Sequence, residues 1–190
     1  MIGNGTMGQR HKRLFEEVGV EFIGVADTAA ETATLFEQIA AGALAPDFAV
    51  VASPAVTHDE YVKKCIDIKL PVLMEKPVFI SAVAAMEYQK LALERNAFVF
   101  VGHSERYNPA IENFSKTAFF KEMREYLKYW NLQKKDAGPV SFKFTRTHGF
   151  SPRNRDVPVE YDLMIHDMDL LSFLGDKNAM MYKSFRCEEW

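Results

Sequence analysis

The chain is poor in cysteine, in unbalanced charge and in long apolar runs. Its two cysteines, Cys65 and Cys187, lie far apart without the spacing of a metal site, so we expect free thiols and no metal. The 23 basic and 26 acidic residues give a net charge of −3, which offers no electrostatic basis for a nucleic-acid partner. No apolar run reaches the length of a membrane span, and no signal peptide is visible. We therefore expect a cytoplasmic protein without a membrane partner.

The composition that is present is typical of a globular α/β protein. Hydrophobic residues make up 48% of the chain and aromatic residues 13%, enough for a buried core. Short apolar runs alternate with helical patterns: the sequence predicts strands at 21–26, 47–53, 71–74 and 97–101, and helices at 6–18, 29–41, 58–68 and 81–95. Such alternation favours a Rossmann-type, doubly wound parallel sheet covered on both faces.

The alternation changes after Gly102, where we place a domain boundary. A long helical stretch runs to about Lys135, followed by a strand-like alternation at 140–146, a loop at 151–159 and a helix at 163–174. We expect a nucleotide-binding domain at 1–105, with its first strand largely missing. We expect residues 106–190 to begin a second α/β (α+β) domain for substrate binding and oligomerisation, which would be truncated.

A glycine pattern lies at the start of the chain. Gly3-Asn4-Gly5-Thr6-Met7-Gly8 has the form G-x-G-x-x-G, which lets the backbone approach a pyrophosphate and places that group at the positive end of the next helix. The pattern is credible after a strand, and here that strand would lie upstream of Met1 apart from Ile2. It therefore predicts a nicotinamide cofactor and, equally, a chain that lacks its first piece.

The acidic residue Asp27 indicates which nicotinamide cofactor is favoured. It ends the second predicted strand, about 20 residues after Gly8, which is the spacing of a ribose-binding acid. A carboxylate there accepts hydrogen bonds from the ribose hydroxyls and repels a 2′-phosphate, so NAD is favoured over NADP. In the alternative interpretation, Asp27 only caps the helix that follows.

Two further motifs carry side chains suited to proton chemistry. Glu75-Lys76-Pro77 follows a predicted buried strand, at the edge of the sheet where ligands bind. Lys76 there can donate to a substrate hydroxyl or join a proton relay, and Glu75 can hold it in place. Asp162 and His166 lie four residues apart on one helix face, where the histidine can act as a base near neutral pH. The alternatives are an exposed ion pair and a surface Asp–His pair.

Taken in order, these motifs resemble the Gfo/Idh/MocA oxidoreductases, the superfamily of glucose-fructose oxidoreductase and inositol dehydrogenase. The resemblance spans nearly the whole chain and rests on the glycine pattern, Ser53-Pro54 with Thr57-His58, Glu75-Lys76-Pro77, Gly102-His103 with Arg106-Tyr107-Asn108-Pro109, and Asp162 with His166. The stretch 156–171 is also similar to the branch that acts on nucleotide-linked amino sugars.

The resemblance implies hydride transfer between NAD(P) and a hydroxyl or ketone of a sugar, polyol or nucleotide sugar. It implies Lys76 as the catalytic lysine, His166 as the general base and Asp162 as the residue that holds the substrate or the histidine. The implied cofactor-binding residues are Gly3, Asn4, Gly5, Thr6, Met7, Gly8, Asp27, Ser53, Pro54, His58 and Glu75. The implied substrate-binding residues are Lys76, Arg106, Asn108, Asp162 and His166.

Several departures from the family pattern leave other functions open. The connection between Asp27 and Val50 is shorter than is usual in the family, and most of the second-domain sheet is absent. In family members that sheet forms the floor of the substrate pocket and the interface of a dimer or tetramer. The chain could therefore be a catalytically impaired nucleotide-binding fragment, or an interaction protein that keeps the fold without affinity for the cofactor.

Overall fold

The computed structural model describes residues 1–133, 142–146, 158 and 160–175 of the chain. These residues form two compact units. The first contains Met1–His103 together with residues 158 and 160–162, and the second contains residues 104–133, 142–146 and 163–175.

A parallel sheet organises the first unit. Its strands β1 (Ala49–Val51), β2 (Val72–Met74) and β3 (Val99–Val101) lie side by side in that order, with Val50 opposite Leu73 and Leu73 opposite Phe100. Beside β1, Ile2 forms single parallel bridges to both Val51 and Ala26. The three predicted strands at 47–53, 71–74 and 97–101 are thus confirmed, each with a shorter hydrogen-bonded part.

The predicted strand at 21–26 is wrong, because only Ala26 takes part in the sheet. Its N–H donates to the Met1 carbonyl and its carbonyl accepts from Gly3, while the Met1 ammonium donates to the Gly24 carbonyl. Residues 21–23 have no such neighbour in the described structure. An apolar run becomes a strand only where a second strand satisfies its backbone groups.

Helices alternate with the strands in the first unit and make up most of the second. The first unit contains α1 (Thr6–Glu17), α2 (Ala29–Ala40), α3 (His58–Asp67) and α4 (Ala82–Arg95). The second contains α5 (Pro109–Ser115), α6 (Ala118–Gln133) and α7 (Ile165–Leu174); a π-helical turn at Glu160–Met164 precedes α7. Within the described ranges, no helix is long and apolar enough to span a membrane.

The second unit departs from the sequence-based expectation in two places. The expected long helix is divided because the Thr117 hydroxyl accepts the Phe120 N–H, a capping bond that starts α6 as a separate helix. Residues 142–146 are irregular and exposed, so the described part of the strand predicted at 140–146 is absent. Apart from Pro158, the loop expected at 151–159 lies outside the described residues.

The core of the first unit lies between α3 and the sheet. Tyr61, Val62, Cys65 and Ile66 of α3 are buried in one cluster with residues of β1 and β2, including Val51, Val72 and Met74. β1 fits this position as a continuous apolar strand, because all three of its residues are buried. Cys65 is a free thiol, and burial raises its pKa to about 12, so that it stays protonated near neutral pH.

Candidate active site

The glycine turn between Ile2 and α1 is too tightly packed for side chains at two of its three glycines. Gly3 has a φ of +90°, and a Cβ there would lie 2.5 Å from the backbone of Ala52 and Ser53. A Cβ on Gly8 would lie 2.0 Å from the Gly3 carbonyl oxygen. The first and third glycines are therefore required by the close approach of the turn, α1 and the end of β1.

Gly5 differs, because none of the described residues requires a glycine there. It precedes α1 with a φ of −69°, and a Cβ would meet no atom of the described structure within 4 Å. No side chain caps α1 and its first turn contains no acidic residue, so its first N–H groups and the positive helix end can bind an anion. The open space at Gly5 fits a pyrophosphate that approaches the backbone closely.

Asp27 anchors this turn. Its Oδ1 accepts the Asn4 N–H at 2.7 Å, and the residue is exposed, which leaves Oδ2 accessible to a ribose hydroxyl. Asp27 does not cap α2: the Thr28 hydroxyl accepts the Glu31 N–H, and the Glu31 carboxylate accepts the N–H groups of Asp27 and Thr28. The helix-cap interpretation of Asp27 is thus wrong, because Thr28 is the residue that caps α2.

His58 joins the two loops that follow β1 and β2. Its Nδ1 lies 2.8 Å from the Pro77 carbonyl oxygen and its Nε2 lies 2.9 Å from the Ser53 carbonyl oxygen. The Ser53 hydroxyl is hydrogen-bonded to the Thr57 hydroxyl, which donates to the Pro54 carbonyl. Since His58 is only 1% exposed, it shapes the loops around the expected cofactor position from inside the protein.

Replacing His58 with alanine should destabilise the protein strongly. The change leaves the Pro77 and Ser53 carbonyls without their imidazole partner and opens a cavity, and we expect a loss of about 2–5 kcal/mol in the free energy of unfolding. Urea denaturation measures this loss. Glu60→Ala on the same helix is the control, since it removes only an exposed pair with Lys64 and should cost about 0.5 kcal/mol or less. Equal losses in the two variants would contradict the bridging role.

Glu75, at the end of β2, pairs with a residue that the sequence analysis missed. Its Oε1 lies 2.6 Å from Nε2 of His11 on α1, and its Oε2 accepts the Lys76 backbone N–H at 3.2 Å. Burial opposes ionisation of Glu75, but the His11 hydrogen bond and charge, with the Lys76 N–H and charge, outweigh burial and lower its pKa. The signal for His11 was its spacing: it follows the buried Gly8 by three residues and so lies on the same face of α1.

Lys76 is held by Asp162 and not by the side chain of Glu75. Its Nζ donates to both Oδ1 and the backbone carbonyl of Asp162, each at 2.7 Å. The lysine and Asp162 side chains are 19% and 24% exposed, so the pair remains accessible to a ligand. The structure thus brings together Lys76 and Asp162, two of the three predicted catalytic residues, which lie 86 positions apart in the chain.

The remaining residues predicted for catalysis and substrate binding lie in the second unit. His166 is on α7, four residues after Asp162 along the chain. Arg106 donates through Nε and Nη2 to the buried carboxylate of Asp169, at 2.8 and 2.5 Å. Asn108 caps α5 by accepting the Ala110 N–H and donates its amide to Glu105. Arg106 and Asn108 thus have structural partners within this unit.

Charge pairs also link Arg146, Asp167 and Glu105 within the second unit. Arg146 donates to Asp167 at 2.7 Å and lies 3.5 Å from Glu105. The hydrogen bond from Asn108 lowers the pKa of Glu105 against the effect of burial, with help from the charges of Arg146 and His166. No group of three potential metal ligands occurs among the residues that the structure describes.

Comparison with known proteins identifies the family. Residues 1–103 match the sequence model of the GFO_IDH_MocA family, described as "Oxidoreductase family, NAD-binding Rossmann fold". The chain belongs to this family. The expected resemblance, the Rossmann fold and the NAD type of cofactor are thereby confirmed, and the matched region contains the glycine turn, Asp27 and Glu75-Lys76-Pro77.

The Gfo/Idh/MocA relatives include sugar and nucleotide-sugar dehydrogenases. The UDP-N-acetylglucosamine 3-dehydrogenase of Acidithiobacillus ferrooxidans is 26% identical over 183 residues, which cover 92% of this chain and 53% of that protein. An inositol 2-dehydrogenase of Mycolicibacterium smegmatis is 26% identical over 194 residues, covering 93% of this chain and 52% of that protein. The chain spans about half the length of the curated relatives it matches.

Solved structures of Gfo/Idh/MocA proteins share the fold of this chain. One structure of the Acidithiobacillus ferrooxidans enzyme has a TM-score of 0.62 at 24% identity and covers 92% of this chain and 55% of its own. The WlbA dehydrogenase of Thermus thermophilus, solved with NAD and UDP-GlcNAcA, has a TM-score of 0.63 at 16% identity and covers 91% of this chain and 61% of its own. At these identities the likeness shows the fold.

Proposed function

We propose that this chain binds NAD at the glycine turn and transfers a hydride between NAD and a hydroxyl or ketone of a carbohydrate or nucleotide sugar. The observation that carries the proposal is the contact of Lys76 Nζ with Asp162 at 2.7 Å, at the carboxyl end of β2. In open α/β sheets ligands bind at this edge. A lysine fixed there by a distant carboxylate is suited to act on a reacting oxygen.

The cofactor-binding part of the proposal rests on three features of the first unit. The free helix start and the open space at Gly5 suit the pyrophosphate, and Oδ2 of Asp27 suits the adenosine ribose. Ser53 and Pro54 lie at the end of β1 beside Gly3, so they would border the same ligand. Bound NAD would supply the hydride acceptor for an alcohol substrate, or NADH the donor for a ketone.

The chain's own residues would handle the proton. The Lys76 ammonium is a donor and, beyond its two bonds to Asp162, has a third N–H for a substrate oxygen. His166 would take the hydroxyl proton on oxidation and return it on reduction, as a histidine can near neutral pH. Asp162 would orient Lys76 and accept a hydrogen bond from a neighbouring substrate hydroxyl.

The relatives and the polar groups of the second unit support the proposed substrate class. The named relatives act on a nucleotide sugar and on inositol, both rich in hydroxyl groups. We propose that Arg106 contributes to substrate binding through the guanidinium N–H groups that it does not use on Asp169. We assign Asn108 to the same surface, where its cap on α5 fixes its position.

A turnover assay tests the proposal. The purified chain is mixed with NAD and one candidate substrate at a time: UDP-N-acetylglucosamine, other nucleotide sugars, inositols or simple sugars. At least one of these substrates should yield NADH, which is measured by its nicotinamide absorbance. The reverse reaction is followed with NADH and the matching ketone. Binding of NADH without turnover of any substrate would contradict hydride transfer and favour the nucleotide-binding alternative. Failure to bind NADH would contradict both.

A further inference from the structure

Both oxygens of the largely buried Glu75 carboxylate have a partner in the protein. Its Oε1 lies against His11 Nε2 at 2.6 Å, and its Oε2 accepts the backbone N–H of Lys76 at 3.2 Å. Glu75 itself is 9% exposed. Glu75 can therefore act on the site through the two residues that it contacts, His11 and Lys76.

His11 reaches this carboxylate from α1, the helix that begins at the glycine turn. Its ring also stacks on Phe15, one helical turn further along, with 6.2 Å between ring centroids. On the side of β3, Gly102 lies against Glu75: a Cβ there would be 3.4 Å from Oε1. The carboxylate is thus held between α1 and the end of β3, with little room to move.

We propose that His11 and Glu75 form a positioning pair for Lys76. His11 holds the carboxylate of Glu75, and the carboxylate fixes the Lys76 backbone, from which the lysine side chain extends to Asp162. The catalytic consequence of the pair rests on the proposed function, whereas its effect on the Lys76 backbone does not.

The electrostatics of Glu75 agree with this geometry. The charged groups that act on the pKa of Glu75 are His11 of α1 and the adjacent Lys76. On the side of β3, Gly102 has no side chain, and the titratable residue that comes next in the chain is His103. Because the native pKa of Glu75 lies below its ordinary value, the ionised Glu75 carboxylate stabilises the fold above the ordinary glutamate range. That contribution is lost as the pH falls through the lowered pKa.

A positioning pair differs from a merely stabilising pair in what happens at Lys76. Buried ion pairs often add little net stability, so a loss of stability alone would not decide between the two roles. The deciding quantity is the protection of the Lys76 backbone N–H when His11 is changed.

Three variants separate the two roles by NMR without cofactor or substrate. His11→Leu removes the donor, His11→Gln keeps an amide donor without the charge, and Lys12→Gln removes an exposed charge one residue along. In His11→Leu the Glu75 carboxyl should titrate above its native value, and the Lys76 amide should exchange with solvent about tenfold faster, as expected when one hydrogen bond to a charged group is lost. His11→Gln should stay within about twofold of the native rate if its amide replaces that bond.

Either of two results would overturn the positioning role. Unchanged exchange of the Lys76 amide in His11→Leu would show that Glu75 holds the backbone without His11. Equal acceleration in Lys12→Gln would show a general loosening of α1. If His11→Leu fails to fold, the comparison is made with Glu75→Ala, which removes both acceptor oxygens and should accelerate the same amide.

If the chain turns over a substrate, the kinetics add a second readout. His11→Leu should lower kcat about tenfold or more with little change in the KM for NAD, and His11→Gln should restore most of it, since a misplaced catalytic group reduces the rate of the chemical step. A change confined to KM would contradict the role. An inactive native chain would contradict the proposed function alone, since the amide measurement stands apart from it.

Discussion

Gly5→Val should weaken NADH binding by about ten- to hundredfold. This is the effect expected when roughly one charge-assisted hydrogen bond from a backbone N–H to the pyrophosphate is lost. The stability of the protein without cofactor should change little. The reason is that a Cβ at Gly5 meets none of the protein atoms that the structure describes within 4 Å, and the Gly5 φ of −69° suits any residue. Valine would therefore occupy only space that the ligand needs. Calorimetric titration with NADH and urea unfolding of the same preparation measure the two effects.

Gly8→Ala is the matched contrast. Its Cβ would lie 2.0 Å from the Gly3 carbonyl oxygen, so the turn must shift, and we expect a loss of about 1–3 kcal/mol in stability along with the loss of binding. Equal NADH affinity in Gly5→Val and the native protein would mean that the pyrophosphate does not lie at this turn.

Lys76→Met should lower turnover by about a hundred- to ten-thousandfold, the usual contribution of a positioned proton donor or acceptor. Methionine fills similar space but removes the ammonium that contacts Asp162 at 2.7 Å. NADH affinity should fall much less, because the glycine turn and Asp27 remain intact. Steady-state kinetics and NADH titration of the variant measure the two quantities.

Lys63→Met controls for the loss of a lysine. Lys63 lies on α3, where it pairs with Asp67 on the surface, so its removal should leave turnover within about twofold. If Lys76→Met retained native turnover, Lys76 would not act on the reacting atoms and its assignment would be wrong.

The parts of the fold that sequence predicts well are those decided by local pattern. The apolar runs of β1 and β2 fit a strand buried on both faces, and α2 has a full capping box at Thr28 and Glu31. The strand predicted at 21–26 failed because pairing depends on a neighbour that local pattern does not describe. The division of the long helix depended on one hydroxyl at Thr117.

The candidate site shows the same limit. The glycine pattern and Glu75-Lys76-Pro77 are short, continuous motifs whose chemistry depends on neighbouring residues, so they could be found from the sequence. The pairing of His11 with Glu75 across 64 positions, and of Lys76 with Asp162 across 86, is decided by how the helices pack on the sheet. His11 lies within a basic stretch typical of a solvated helix face, so its pairing with Glu75 was missed.

The glycine turn and Asp27 should bind NAD, and titration of the native chain with NADH and, separately, with NADPH measures this binding. Nicotinamide fluorescence should saturate with NADH below millimolar concentration, and NADPH should bind more weakly, because Asp27 would repel the 2′-phosphate. No saturable binding at millimolar NADH would contradict the claim that the turn binds NAD. Tighter binding of NADPH would contradict the role of Asp27.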